Sequence, residues 1–299
     1  MRLDRLLTLN FFYPMCRILP KRTGLRIPIL MYHSISDDPE PNVHPYFRIS
    51  TPPVLFAQHM KFLCDNGYEV ISLSTAVDLI QQGKNCYSSC GLLHMSPKVV
   101  LTFDDGYRDF YTHAFPIIKK YDFPAIVFLP TEFVGGGILG IREKSHLSWQ
   151  EIKALKSQGI WFGSHTARHL QLKGLEKDQI ELEIKKSKEM LEDKLGFSIL
   201  SFSYPFSFPQ VDKKFKKYIQ EELASAGYEH AVTTIIGTTS KFSDPFFLER
   251  IPINGGDDLM LLKAKLEGGY NWLNLIQTIY KINKEGELKK LFNRRHSES

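Results

Sequence analysis

Two aspartates stand side by side, Asp104 and Asp105, in LTFDDGYRDF, directly after an apolar run and directly before a glycine. Adjacent like charges repel, and burying both is costly without a countercharge. Such a pair either sits in a wet turn or faces something positive. A second group of candidates follows in GSHTARH, where His165 and His169 are four residues apart. That spacing would place both imidazoles on one face of a helical turn, within reach of one cation. Aspartates at strand ends also serve as turn formers or helix caps, and an HxxxH pair alone is common by chance. Taken together, a carboxylate and two neutral imidazoles make an open ligand set that leaves a position for water. A divalent cation there would let one aspartate act as ligand while its neighbour stays ionised. It would also lower the pKa of a bound water toward about 7, so that a nearby carboxylate can take the proton.

These residues need elements to bring them together. Short apolar runs alternate with helical patterns from about residue 26 onward. Strands are expected at IPILMYH (27–33), YEVISL (68–73), KVVLTF (98–103), PAIVFLP (124–130), GIWFGSH (159–165), ILSFSYPF (199–206) and HAVTTI (230–235). Helices are expected over 53–66, 148–158, 176–195 and 211–226. All four run into a glycine at their C-terminal end, and 148–158 opens on a Ser148/Glu151 capping box. Strand–helix alternation implies parallel pairing with right-handed crossovers, hence an α/β wound sheet or barrel. Such folds place active sites beyond the C-terminal ends of their strands. Both candidate groups lie at such ends. Residues 81–96 lack periodicity and are expected to form a surface loop.

TFDDG, followed by SHTARH and then by a strand ending in YPF, resembles the polysaccharide deacetylases, carbohydrate esterase family 4 with its NodB-type homology domain. The resemblance runs from about Ile27 to Ile253. It implies a single-domain distorted (β/α) barrel that removes N-acetyl groups from amino sugars of a polysaccharide or glycan. It implies Asp104 as general base, Asp105 with His165 and His169 as metal ligands, and zinc as the metal, with cobalt or nickel as alternatives.

The family's third motif reads Arg-x-Pro-Tyr/Phe-Gly, whereas this chain has Ser203, Tyr204, Pro205, Phe206 and Ser207. The proline and the aromatic match, and the Phe206 main-chain N–H corresponds to the oxyanion donor, with Tyr204 and Pro205 beside it. The arginine that orients the base is replaced by Ser203. Arg250, in LERIPIN, is the candidate substitute. The late Leu-x-Leu-His motif carrying the general acid is absent after residue 206. The first strand instead ends in LMYH. This resembles the permuted subgroup that includes poly-N-acetylglucosamine deacetylases and implies His33 as the acid. Tyr32 and Tyr107 flank the candidates and either line a sugar pocket or pack. His44, His59, His94, His113 and His146 lack a partner pattern and are read as surface or packing residues.

The chain has 299 residues, a net charge of +5 and 43% hydrophobic residues, ordinary for a globular protein. No interleaved arginine and aromatic pattern points to nucleic acid. The four cysteines form no CxxC and are expected to be free thiols. Three regions are expected: a basic, apolar extension over 1–25, the barrel over 26–283 and a charged, frayed tail over 284–299. The extension is shorter than the roughly 20 apolar residues that span a bilayer. It either docks on the barrel or lies on a membrane surface as a peripheral contact. With no clear signal peptide, the cytoplasm or its membrane face is expected. Two rival functions use the same fold: removal of a formyl group from a lipid-linked amino sugar, and glycan binding without turnover.

Overall fold

The computed structural model describes residues 2–19, 24–82, 96–136 and 143–297. Ten strands occur among them: β1 (Arg26–Ile27), β2 (Ile29–Tyr32), β3 (Glu69–Val70), β4 (Lys98–Phe103), β5 (Ile126–Leu129), β6 (Trp161–Ser164), β7 (Ser201–Ser203), β8 (His230–Ile236), β9 (Thr239–Ser240) and β10 (Leu248–Pro252). Seven are parallel and close on themselves in the order β2-β10-β8-β7-β6-β5-β4, with β4 pairing back to β2 through Ile29–Val100 and Tyr32–Phe103. The expected (β/α) barrel is therefore the fold. β3 pairs only with the first residues of β4, and β1 and β9 form a separate antiparallel ribbon.

Alternation along the strands explains why they read as continuous apolar runs. One side of each strand points inward, where Ile29, Val100, Ile126, Phe128, Val232 and Leu248 form one cluster with the helix Leu73–Gln81. The other side, with Leu30, Tyr32, Leu101, Phe103, Val127, Leu129 and Phe202, packs under the surrounding helices. Those helices supply Phe56 and Met60, Ile152 and Leu155, Ile180 and Ile184, and Ile219 and Leu223. Both faces of each strand are thus dry, as a parallel barrel requires.

Local signals fix the helix boundaries. Ser148 accepts from the Glu151 N–H at 3.2 Å, and Glu151 Oε2 accepts from the Ser148 N–H at 2.9 Å, so the helix Trp149–Lys156 starts on the expected capping box. The helix Lys177–Leu195 stops at Gly196, whose φ is 71°. Several expectations need correction. The strand expected over 68–73 is only two residues long, because Ser72 caps a new helix by accepting from Thr75 N. β7 ends at Ser203 rather than at residue 206, ahead of Pro205, which has no N–H for a ladder. The tail expected to fray from residue 284 continues a helix spanning Trp272–Ser297. Most of the expected 81–96 loop, with Cys86, Cys90 and His94, lies outside the described residues.

The N-terminal segment is helical from Leu3 to Ile18, with a π-helical stretch over Thr8–Phe12. It docks on the barrel domain. Phe12 stacks on Trp272 at 4.4 Å, and Trp272 Nε1 donates to Thr8 Oγ1 at 3.0 Å. Arg2 donates to Asp257 Oδ1 at 2.8 Å, inside a buried group that includes Asp4 and Lys265. Among the described residues, no helix is long and apolar enough to cross a membrane.

Candidate active site

The ends of β4, β6, β7 and β10 bring the site together. At the end of β4 the chain turns sharply: Asp105 has φ 68° and Gly106 φ 61°. Gly106 suits this turn in two ways. Its conformation is left-handed, and a Cβ there would lie 2.6 Å from Leu129 Cδ2. The turn divides the two aspartates. Asp104 points into the barrel, with its N–H bonded to Tyr32 O at 2.9 Å, while Asp105 turns to the loop after β6.

Asp105 Oδ1 lies 3.4 Å from His165 Nε2 and 3.2 Å from His169 Nε2. The ligand atoms of the three residues all lie within 4.8 Å of one another. His165 Nδ1 bonds Ser203 O at 2.8 Å, and a carbonyl can only accept, so Nδ1 carries a proton and Nε2, facing Asp105, is the nitrogen left for a cation. That donor set fits a divalent cation held by one carboxylate and two neutral imidazoles. The SHTARH segment is not the expected helical turn. Thr166 and His169 adopt φ of 66° and 55°, and this left-handed loop aims both imidazoles at one point. With Asp105 and Phe206 (φ 58°), four non-glycine residues in this unfavourable region gather at one site, where such strain is characteristically stored.

Asp104 has its own partner. Arg250 Nη1 and Nη2 donate to Asp104 Oδ1 and Oδ2 at 2.7 Å each. The guanidinium is fixed from behind by Thr233 O at 2.9 Å and Thr102 Oγ1 at 3.2 Å. Ser203, at the position of the family's motif arginine, donates to Asp104 at 3.3 Å and accepts from Arg250 Nη2 at 3.1 Å. Burial pushes the Asp104 carboxyl up most strongly, but the Arg250 charge and hydrogen bonds together with the nearby His165 and His33 outweigh it, so the pKa falls below the usual range. Asp105 is likewise pushed up by burial. Hydrogen bonds from His165 and His169 more than reverse this and hold it well below the usual range.

His33 follows β2 directly and is partly buried on the same rim. Burial lowers its pKa, against the raising influence of the Asp105 and Asp104 carboxylates. Asp109 anchors the loop that leaves it, accepting from Ile35 N at 3.1 Å and from Ser34 Oγ. Phe206 is half exposed, with its ring 4.7 Å from that of His169. Tyr204 does not face this rim. Its ring is buried against Phe202 and Phe208, so only its main chain adjoins the site, and Pro205 is buried as well. Tyr32 is also a core residue, bonding His59 Nδ1 through its hydroxyl. Sequence reasoning missed Ser203, Thr102 and Asp109 as supporting groups, because each acts through a contact between strands or loops that no local pattern records.

A model of the polysaccharide deacetylase family matches residues 94–231. The polysaccharide deacetylase-type protein YxkH of Bacillus subtilis (strain 168) is 32% identical over 234 residues, covering 77% of this chain and 72% of that protein. The poly-beta-1,6-N-acetyl-D-glucosamine N-deacetylase of Escherichia coli (strain K12) is 27% identical over 146 residues, which cover 46% of this chain and 20% of that protein. The solved structure of the Streptococcus pyogenes deacetylase PplD in complex with acetate superposes with a TM-score of 0.67 at 28% identity, covering 82% of this chain and 99% of that one. The barrel, the acidic pair at its rim and these likenesses agree, and the chain belongs to the polysaccharide deacetylase family, as a hydrolase of amide bonds.

Proposed function

We propose that this protein removes N-acetyl groups from the amino sugars of a polysaccharide, using a divalent cation held by Asp105, His165 and His169. The observation that carries this reading is the bidentate Arg250–Asp104 pair beside the three converging ligand residues. Zinc is the first candidate, and the same ligand types accept cobalt or nickel. A cation there supplies Lewis acidity toward the acetyl carbonyl and a water molecule. Asp104, kept ionised and aimed by Arg250, takes the proton from the attacking water. The Phe206 main-chain N–H donates to the oxygen on which charge develops. His33 returns a proton to the departing nitrogen, so the sugar leaves as an amine. The E. coli relative named for poly-beta-1,6-N-acetyl-D-glucosamine supports a β-linked N-acetylglucosamine polymer as the first substrate to try.

The test is acetate release from N-acetylglucosamine oligomers by protein reconstituted with zinc or cobalt. Stoichiometric acetate supports the proposal. Formate from an N-formylated amino sugar, with no acetate from the acetylated one, points to deformylation instead. Glycan binding by metal-loaded protein without release of either acid points to a binding protein.

A further inference from the structure

The stretch after β7, YPFSFPQ at 204–210, contains no glycine, yet Phe206 adopts φ 58°. A left-handed conformation costs a residue with a Cβ roughly 1–2 kcal/mol, and it persists only where the surroundings impose it. β8 supplies that constraint. Ahead of the turn, Tyr204 N donates to Val232 O at 3.1 Å. Past it, the Thr234 hydroxyl donates to Phe206 O at 2.9 Å and accepts from Phe208 N at 3.0 Å. One side chain thus holds the two peptide planes that follow Phe206.

Thr234 is itself held from outside the barrel. Gln277, on the helix Trp272–Ser297, donates from Nε2 to Thr234 O at 2.9 Å and accepts from Ile236 N through Oε1 at 3.1 Å. Lys281, one turn further along, donates to Phe208 O and to Gln210 Oε1, and Gln210 Nε2 donates to Thr278 Oγ1. The loop is therefore clamped at 206, 208 and 210. The Phe206 N–H stands apart, because among the described residues it makes no hydrogen bond. Phe206 is half exposed and its ring lies 4.7 Å from that of His169, so this donor is left beside the ligand set.

We infer that Thr234 is a positioning residue for the reaction, whose hydroxyl sets the angle at which the Phe206 N–H meets the oxygen that gains charge. The inference rests on the deacetylase reading above, in which that N–H is the oxyanion donor. A donor stabilises developing charge best when it is aimed before the reaction begins, and one such donor is worth about 100- to 1,000-fold in kcat. In this role Thr234 touches neither substrate nor cation and moves no proton. Its effect passes entirely through the main chain of Phe206.

Two substitutions isolate the hydroxyl. Thr234→Val keeps the shape and removes both hydrogen bonds, whereas Thr234→Ser keeps the hydroxyl. With zinc-loaded full-length protein, Thr234→Val is expected to lower kcat on N-acetylglucosamine oligomers about tenfold, part of the worth of one oxyanion donor. KM and zinc content are expected to stay within about twofold of wild type, as for an interaction made in the transition state alone. A methylphosphonamidate analogue of the oligomer has a tetrahedral phosphorus that places an oxygen where the charge develops. Its affinity is expected to fall by the same factor as kcat. Thr234→Ser is expected to stay within about twofold of wild type on both measures. An unchanged kcat in Thr234→Val, equal losses in the two variants, loss of zinc, or a lower kcat without a matching loss of analogue affinity would overturn the inference. Wild-type protein that releases no acetate from the oligomers would instead remove the deacetylase reading on which it rests.

Discussion

Arg250 grips both carboxylate oxygens of Asp104 from 146 positions away in the chain, at 2.7 Å each, and neither side chain reaches solvent. The family's motif arginine would stand at Ser203 on β7. Here the guanidinium comes from β10 instead and lies against the Ser203 hydroxyl. The charge is kept and its strand of origin has changed.

Arg250→Met leaves a buried carboxylate without its countercharge. Removing one partner of such a pair costs roughly 3–5 kcal/mol of stability. Loss of the aimed base is expected to lower kcat by about 100-fold or more. Urea unfolding and acetate release read the two effects separately. The double variant Ser203→Arg/Arg250→Ser, which supplies the guanidinium from the neighbouring strand, is expected to recover part of both. No recovery in a folded double variant would show that the β10 origin is itself essential.

Asp104→Asn and His165→Ala are expected to separate base from ligand. Asp104→Asn keeps the three ligand residues and should bind zinc stoichiometrically, with activity down by about 100- to 10,000-fold. His165→Ala should lose both metal and activity. Elemental analysis after dialysis decides this, and equal metal content in the two variants would reverse the roles. Chelation of wild-type protein should abolish acetate release, and added zinc should restore it.

His230, buried below the site with Nε2 bonded to Ser201 Oγ at 2.7 Å, sets a pH dependence of stability. Burial lowers its pKa from 6.5 to about 4. Between those values the unfolded chain takes up a proton that the folded protein refuses. Stability is therefore intact above pH 6.5, falls as pH drops, and this contribution is fully lost below about 4. The total is about 3 kcal/mol, from the standard value of a pKa unit. Urea unfolding between pH 7 and 4 should show a smaller slope in His230→Asn than in wild type, and an identical slope would exclude His230 as the cause.

Gly106→Ala tests the turn that parts the two aspartates. The positive φ and the contact with Leu129 Cδ2 together predict a loss of about 1–3 kcal/mol. Activity should fall further than stability alone explains, because Asp104 and Asp105 flank the strained point. Thermal unfolding and acetate release on the same preparation check this, and wild-type values for both would mean that the turn relaxes without cost.

Much of the barrel was legible because its strands carry their own signature. KVVLTF at 98–103 is a strand over its full length, since five residues, Val99 to Phe103, are buried on both faces and leave a nearly continuous apolar run. The Ser148/Glu151 box and Gly196 marked helix ends because capping is local chemistry. β10 and the helices after it, Leu259–Leu266 and Trp272–Ser297, were less legible. LERIP mixes charge with apolar residues, since its arginine is neutralised by Asp104, just past the end of β4, and not by solvent. The helix at 73–81 was obscured by the apolar run before it, where one serine decides between strand and helix.

By itself the sequence determined the residue types of the site: a carboxylate pair at one strand end, a histidine pair at another, and a histidine closing the first barrel strand. Those follow from local patterns, because a chemical role demands particular side chains at particular spacings. Only the tertiary structure decided which partners these groups receive. Barrel closure sets Arg250 against Asp104, and the left-handed turns converge Asp105, His165 and His169. Charge pairing and burial act through space, across segments far apart in the chain, and a linear pattern does not carry that information.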